Sequence, residues 1–369
     1  MGSSRKNPVI FLSSGEPSGD IHGARLVREL RKLLPGARFL GLGGPEMANE
    51  GVEILIPPEK LAIVGFQEAL LHIKQVLDIM KTLVRKAVRE ADLAVFIDYP
   101  GFNLRLARYL HNAGIKTVYY IVPQVWAWGT WRTHLLRKYI DRALVILPFE
   151  EDFLRKRGVR AEYVGHPLID MLSEDSDEVE RDGDVPHIAM LPGSRVDEIR
   201  RLLPRLINIR EEIRRELPGC RFLFSLLHDE DLGSQLEAHD TRIFRGRARG
   251  ILRASDYAIV ASGTVSLEAG LLEKPMSVLY MLSDLSWFLG KRLAKVPYVS
   301  LVNILLGREV VREYIQHIDE KKIAREAVSL LLDPDLYRKK KEELRQLRQI
   351  LGAGGATKKA AMRIAELLG

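Results

Sequence analysis

His187-Ile188-Ala189-Met190-Leu191-Pro192-Gly193-Ser194-Arg195 is the stretch on which the fold turns. An apolar run meets Pro-Gly-Ser and opens onto Ile199, Leu202, Leu203, Leu206, Ile209 and Ile213, apolar positions at helical spacing. The spacing predicts a buried strand that turns directly into a helix starting near Ser194. Further along, Tyr257-Ala258-Ile259-Val260 leads into Ala261-Ser262-Gly263-Thr264-Val265-Ser266-Leu267-Glu268, the same pattern again. The free N–H groups and positive dipole end of such a helix favour an anion, and Arg195 adds a fixed charge beside the first. Glu268 stands one helical turn beyond Thr264. A pyrophosphate at Gly193, Ser194, Arg195, Ser262, Gly263 and Thr264, with Glu268 accepting ribose hydroxyl bonds, is what a nucleoside-diphosphate site needs.

Working outward, strands and helices alternate. Short apolar, often β-branched runs at 9–13, 38–41, 93–97, 116–121, 142–146 and 162–164 are separated by helical patterns such as 21–34, 104–112 and 150–157. Strand patterns resume at 187–191, 221–226, 242–244, 257–260 and 277–280. This predicts an α/β protein of two doubly wound, Rossmann-like domains facing a cleft, with ligands outside the carboxyl ends of the strands. Residues 173–185 are acidic and nearly free of apolar side chains, and read as a linker. The expected division is a first domain over 1–172, the linker over 173–185, a second domain over 186–340, and a C-terminal helical segment over 341–369 packing back toward the first domain. The arginines 200, 201, 205, 210, 214 and 215 read as a solvated helix face.

Composition narrows the function. The chain has 369 residues, 46% of them hydrophobic, enough for two cores of ordinary size. One cysteine, Cys220, can make neither an internal disulfide nor a thiolate metal site, and suits a reducing compartment. Val9-Ile10-Phe11-Leu12 is too short for a signal-peptide core and far from the ~20 apolar residues of a membrane span, so the expected location is cytoplasmic. A net charge of +7 suits an anionic partner. Nucleic acid is not expected, because there is no zinc spacing, no aromatic ribonucleoprotein motif and no concentrated basic arm.

Three features of the first domain carry chemistry. Ser13-Ser14-Gly15-Glu16-Pro17-Ser18-Gly19-Asp20 follows the first strand and opens a helix, but its spacing departs from the dinucleotide fingerprint and no acid ends the second strand. It reads either as a tight turn capped by Ser18 or Asp20 or as a substrate contact. Asp98 ends the strand at 93–97 and precedes Tyr99-Pro100-Gly101-Phe102-Asn103. A carboxylate there can take a proton from an attacking hydroxyl, or can cap the next helix. Pro123-Gln124-Val125-Trp126-Ala127-Trp128, with Trp131, places aromatics after a strand, where core is the commoner use.

Taken in order, Gly15-Glu16-Pro17-Ser18-Gly19-Asp20, Ile97-Asp98-Tyr99-Pro100-Gly101-Phe102-Asn103, Pro123-Gln124-Val125-Trp126-Ala127-Trp128, Leu147-Pro148-Phe149-Glu150, Leu191-Pro192-Gly193-Ser194-Arg195, Ala261-Ser262-Gly263-Thr264 and Tyr298-Val299-Ser300-Leu301-Val302-Asn303 form a series that resembles the lipid-A-disaccharide synthase family, from about Val9 to the C-terminus. The resemblance implies an inverting glycosyltransferase of GT-B architecture. Such an enzyme joins UDP-2,3-diacylglucosamine to 2,3-diacylglucosamine 1-phosphate (lipid X), giving the β(1→6) lipid A disaccharide 1-phosphate and UDP. It implies no metal and no cofactor, the UDP-sugar being a substrate. The first domain then takes the acylated acceptor and the second the UDP-sugar. Asp98 matches the family's proposed general base, Arg195 its essential arginine at the UDP phosphates, and Asn303 its functional asparagine, expected at the substrate. Glu16, Ser18 and Asp20 match the N-terminal motif and are expected at the substrate. Gly101 is a departure, standing where many members carry an acid.

An acylated substrate also gives a reading for Phe66, Leu70, Ile73, Val76, Leu77 and Met80, which recur at three- and four-residue spacing beside Lys74, Lys81, Arg85, Lys86 and Arg89. By itself the pattern fits a helix half-buried on its own sheet. With lipid in view it is expected to contact acyl chains and the cytoplasmic face of the inner membrane, as a peripheral attachment. A homodimer is compatible with this reading. The alternative function is a UDP-sugar epimerase of the same two-domain architecture, which needs no basic amphipathic helix.

Overall fold

The computed structural model describes residues 7–62, 69–127, 129–226, 238–282 and 297–369. They fall into two compact units, Met1–Asp170 with Gly354–Gly369, and Met171–Ala353.

Unit 1 is built on seven parallel strands: β1 (Val9–Ser14), β2 (Arg38–Leu42), β3 (Glu53–Ile56), β4 (Leu93–Ile97), β5 (Lys116–Tyr120), β6 (Arg142–Val145) and β7 (Ala161–Tyr163), in the spatial order β3-β2-β1-β4-β5-β6-β7. Unit 2 has six parallel strands: β8 (His187–Leu191), β9 (Arg221–Ser225), β10 (Thr241–Phe244), β11 (Tyr257–Ala261), β12 (Met276–Tyr280) and β13 (Arg312–Ile315), ordered β10-β9-β8-β11-β12-β13. The order reverses between β1 and β4 in the first sheet and between β8 and β11 in the second. Ligands bind at such reversals, in the crevice beyond the carboxyl ends of the strands. The two loops expected to bind nucleotide follow β8 and β11, and Gly15-Glu16 and Asp98 follow β1 and β4.

The apolar runs are continuous rather than alternating because helices cover both sheet faces. Phe11 packs into one core with Leu83, Phe96 and Leu106, while Ile10 and Leu12 face the other with Leu26, Val27 and Ile97. In unit 2, Ile199, Leu202, Leu203, Leu206, Ile209 and Ile213 bury the predicted stripe of the helix Val196–Glu216 against Ile188 and Met190.

Four expectations change. β3 and β13 are not among the expected strands; they are four-residue strands at the sheet edges, and apart from buried Tyr314 their residues are exposed or half-exposed. The acidic stretch is no free tether. Asp177 pairs with Arg247 (2.5 Å), Asp175 with Arg249 (3.3 Å) and Asp182 with Arg221 (3.0 Å), which lays the stretch along unit 2. The C-terminal segment divides at its glycines. Pro334–Leu351 buries Leu344, Leu347 and Leu351 in unit 2, whereas Ala356–Ala365 buries Ala360, Ala361 and Ile364 against Ile10 and Leu12 of unit 1. Asp170 joins that return, accepting bonds from the backbone N–H groups of Gly355 and Thr357. Finally, Arg210 is buried and bonded to Glu211 and Thr241, so it is not part of a solvated face.

Candidate functional site

The end of β4 is a strained turn held from below. Asp98 (φ 43°) and Tyr99 (φ 51°) both adopt left-handed backbone, though neither is glycine. Each such residue costs about 1–3 kcal/mol and persists where surroundings over-determine it. Asn103, fully buried in the first turn of the helix Pro100–Asn112, supplies that constraint. Its Nδ2 donates to the Asp98 carbonyl (2.7 Å) and to those of Ile97 and Ser13 (3.2 Å each), and its Oδ1 accepts from Ser13 Oγ (2.6 Å). The Tyr119 hydroxyl donates to the same Asp98 carbonyl (2.6 Å).

The β1 loop meets this turn. The Tyr99 ring lies where a side chain on Gly15 would have to stand, which requires glycine there. Burial raises the Tyr99 phenol pKa, and Glu16 raises it further, so the Glu16 charge lies near the Asp98 turn. Ser18 is exposed beside it. Asp20 is not. Its carboxylate accepts from the backbone N–H groups of Gly44 (2.8 Å), Glu46 (2.9 Å) and Met47 (3.2 Å), capping the helix Pro45–Asn49. The expected substrate contact is therefore corrected to a structural cap, and the N-cap of its own helix is Glu16 rather than Ser18 or Asp20.

After β6, Glu150 is buried, accepting from Trp126 Nε1 (2.9 Å) and from the backbone N–H groups of Leu147 (3.0 Å) and Ile146 (3.3 Å). Burial pushes its carboxyl up to about 7 against those three donors. Trp126 also stacks edge-on with Phe149, so this tryptophan is core, whereas Trp131 is exposed. Trp128 lies outside the described residues.

In unit 2 the loops after β8 and β11 have the strand-turn-helix form their residues predicted. Gly193 takes φ 109°, and Arg195 is the extended N-cap of the helix Val196–Glu216. Ser194 and Arg195 are exposed. Gly263 is the N-cap of the helix Thr264–Leu271, with Gly263 and Thr264 both exposed at its N-terminus. Ser262 donates to the Val299 carbonyl (3.1 Å), tying the turn before Ser300 to this loop. Glu268 is buried and accepts from Arg249 Nε (3.0 Å), and burial raises its pKa while Arg249 opposes the rise.

Asn303 behaves differently from the expectation of a substrate contact. It is fully buried, donates to the Val311 carbonyl (2.8 Å) and Glu313 (2.7 Å), and accepts from the N–H groups of Val310 (2.8 Å) and Val311 (3.0 Å). Those four bonds use the amide's full capacity. Its partner Glu313 accepts from the N–H groups of Val299 (2.8 Å) and Ser300 (3.0 Å). Asn303 is therefore linked through Glu313 to the 299–300 turn, whose Val299 carbonyl accepts from Ser262. Residue patterns alone missed Asn103, Tyr119, Arg249, Glu313 and Glu198, whose partners are distant in sequence or, for Glu198, hidden in an ordinary capping-box spacing.

The amphipathic stretch is corrected in part. In the helix Ala69–Glu90, Val76, Ile79, Met80, Leu83 and Ala87 pack on the core of unit 1, so this stripe covers its own sheet. Leu77 is 49% exposed. Phe66 and the side chains of Leu70 and Ile73 lie outside the described residues.

With the crevices in hand, comparison with known proteins decides the family. The lipid-A-disaccharide synthetase model matches residues 10–366. This chain belongs to that family. A lipid-A-disaccharide synthase of Myxococcus xanthus is 39% identical, covering 98% of each chain, and one of Nitrosococcus oceani is 38% identical, covering 98% of this chain and 97% of its own. Among solved structures, the UDP-GlcNAc 2-epimerase of Neisseria meningitidis bound to UDP-GlcNAc superposes with TM-score 0.68 at 13% identity over 98% of this chain and 100% of its own. The calicheamicin glycosyltransferase CalG4 does so with TM-score 0.65 at 14% identity over 98% of each. At such identities these likenesses establish the fold alone, two-domain GT-B, and the epimerase alternative has no further support.

Proposed function

We propose that this chain forms the lipid A disaccharide by inverting transfer from UDP-2,3-diacylglucosamine to the primary hydroxyl of 2,3-diacylglucosamine 1-phosphate. The observation that carries the reading is the pairing of family membership with two unlike crevices. One presents a carboxylate on a clamped, strained turn, and the other presents glycine-hydroxyl helix N-termini beside Arg195. Asp98 takes the proton of the acceptor hydroxyl as its oxygen attacks the anomeric carbon. The bond from that carbon to the β-phosphate oxygen breaks, and UDP leaves with the electron pair. Backbone N–H groups after Gly193 and the Arg195 guanidinium meet the developing charge. That neutralisation leaves no step for a metal ion or cofactor. Glu16 and Ser18 face the acceptor.

Among the described residues no helix is long and apolar enough to cross a membrane. Peripheral attachment to the cytoplasmic face of the inner membrane is supported by exposed Leu77 beside exposed Lys74, Lys81 and Arg85. The test is incubation with both acylated sugars, reading UDP release and the product mass. UDP release that requires the acceptor, with a disaccharide 1-phosphate formed, is expected. UDP release independent of acceptor, with an altered sugar and no disaccharide, would overturn the reading in favour of epimerisation.

A further inference from the structure

Glu198 has no part in the chemistry above, yet its carboxylate stands in the loop that the diphosphate needs. It occupies the third position of the helix Val196–Glu216, from which a glutamate can fold back onto the N-cap. Here the carboxylate lies against the loop, and the nearby backbone N–H groups of Ser194 and Arg195 pull its pKa down against burial. The same carboxylate lies over Gly193, and a Cβ there would run into it. These N–H groups belong to the set that an anion at a helix N-terminus uses. The side chain is half-buried. Its charged and titratable neighbours are Arg195 and Arg201 from its own element and Tyr280 from the end of β12.

We infer that Glu198 is a built-in anion that occupies part of the diphosphate seat when the seat is empty, and that UDP-sugar must displace it to bind. The inference rests on the reading of this loop as the diphosphate site. It gives the site two anions that compete for one set of donors, so nucleotide is held less tightly than the loop alone would hold it. Return of the carboxylate then helps to expel UDP after transfer. Burial raises the Glu198 carboxyl against the pull of its backbone donors and arginines, so lower pH weakens the competitor.

The test measures UDP binding calorimetrically for wild type, Glu198→Gln and Glu198→Ala at pH 8 and pH 5. Glutamine keeps the size and shape of the side chain but carries no charge, so this variant should keep its melting temperature and bind UDP ~10-fold more tightly at pH 8, the scale of one like charge removed from a few ångströms away. That advantage over wild type should shrink at pH 5, a ratio in which UDP's own titration cancels. Glu198→Ala, which lacks the cap, should melt lower yet still bind UDP more tightly than wild type. Equal or weaker binding by folded Glu198→Gln at pH 8 would make the carboxylate a helix cap that the diphosphate never meets, and would overturn the inference while leaving the site intact. Failure of all three proteins to bind UDP would remove the diphosphate reading itself, and the inference with it.

Discussion

The crevice of unit 1 and the crevice of unit 2 lie at the same topological point of sheets with the same strand order, and they are finished in opposite ways. After β8 and β11 the chain turns through Gly193 and Gly263 and presents backbone N–H groups at helix N-termini. After β4 it turns through Asp98 and Tyr99, left-handed residues with side chains, and carries the Asp98 carboxylate on a turn whose Asp98 backbone carbonyl is held by Asn103 and Tyr119. Glycine lets an anion approach the backbone, whereas strain accepted at non-glycine residues aims a side chain. On the function proposed here, one fold serves as a seat for a leaving anion and a mount for a base, and substitutions should separate the two.

The largest effect is expected at the mount. Asp98→Asn keeps the shape of the turn and removes the basic lone pair, so turnover should fall ~100-fold or more while UDP affinity stays within about twofold. Single-turnover disaccharide formation and UDP calorimetry on one preparation check this; unchanged chemistry, or equal loss of UDP binding, ends the base assignment. Arg195→Ala attacks the seat. It should cost ~100-fold in turnover, because a charge-assisted contact that strengthens as the bond breaks is lost, and near-normal kinetics in a folded protein would refute it.

Glycines sharpen the contrast. Gly193→Ala puts a Cβ at φ 109° into the space of the Glu198 carboxylate, so stability should drop by about 1–3 kcal/mol in chemical denaturation. Gly101→Ala is the control in unit 1. Nothing lies within 4 Å of a Cβ there and its φ is not positive, so chemical denaturation should give stability within about 0.5 kcal/mol of wild type. A smaller effect on turnover is expected from Tyr119→Phe, which removes one of the bonds to the Asp98 carbonyl, worth about 1 kcal/mol and so ~5-fold. Stopped assays across pH should show that loss without a change in profile shape.

How much of this was legible follows from range in sequence. The loops after β8 and β11 could be read because strand, glycine, hydroxyl and helix succeed one another locally, and the buried stripe from Ile199 to Ile213 is a property of one helix. Asp98 could be read as a strand-end carboxylate, but not its clamp, since Tyr119 and Ser13 reach it from other strands. Asp20 and Asn303 were misjudged for one reason. A motif shows that a polar side chain stands near a site, but not that three or four backbone partners from another segment already saturate it. The helix Ala69–Glu90 shows the same limit. Periodicity reveals that a face is apolar, and only packing reveals that Val76 and Met80 spend theirs on the sheet beneath.

The smallest expected effect on catalysis, and a sharp one on stability, tests whether unit 1 rather than unit 2 fails first in acid. His166 is buried after β7, where its Nδ1 accepts from the Leu168 N–H (3.2 Å). Burial, and then nearby His22, lowers its pKa from 6.5 to about 3. Between those values the unfolded chain binds a proton that the folded chain refuses, so stability present above about pH 6.5 is lost as pH falls toward 3, by up to a few kcal/mol. Glu150 runs the other way. Its folded carboxyl, raised from 4.5 to about 7, keeps a proton that the unfolded chain releases, so stability is lost as pH rises through that window. His166→Asn supplies an oxygen acceptor for the Leu168 N–H without a titrating group. Melting temperatures measured from pH 4 to pH 8 should therefore show a flatter acid limb in His166→Asn than in wild type, with the limb above pH 5 set by Glu150 retained. Superimposable acid limbs would mean that another group refuses the proton, and that the burial of His166 does not govern how this unit yields to acid.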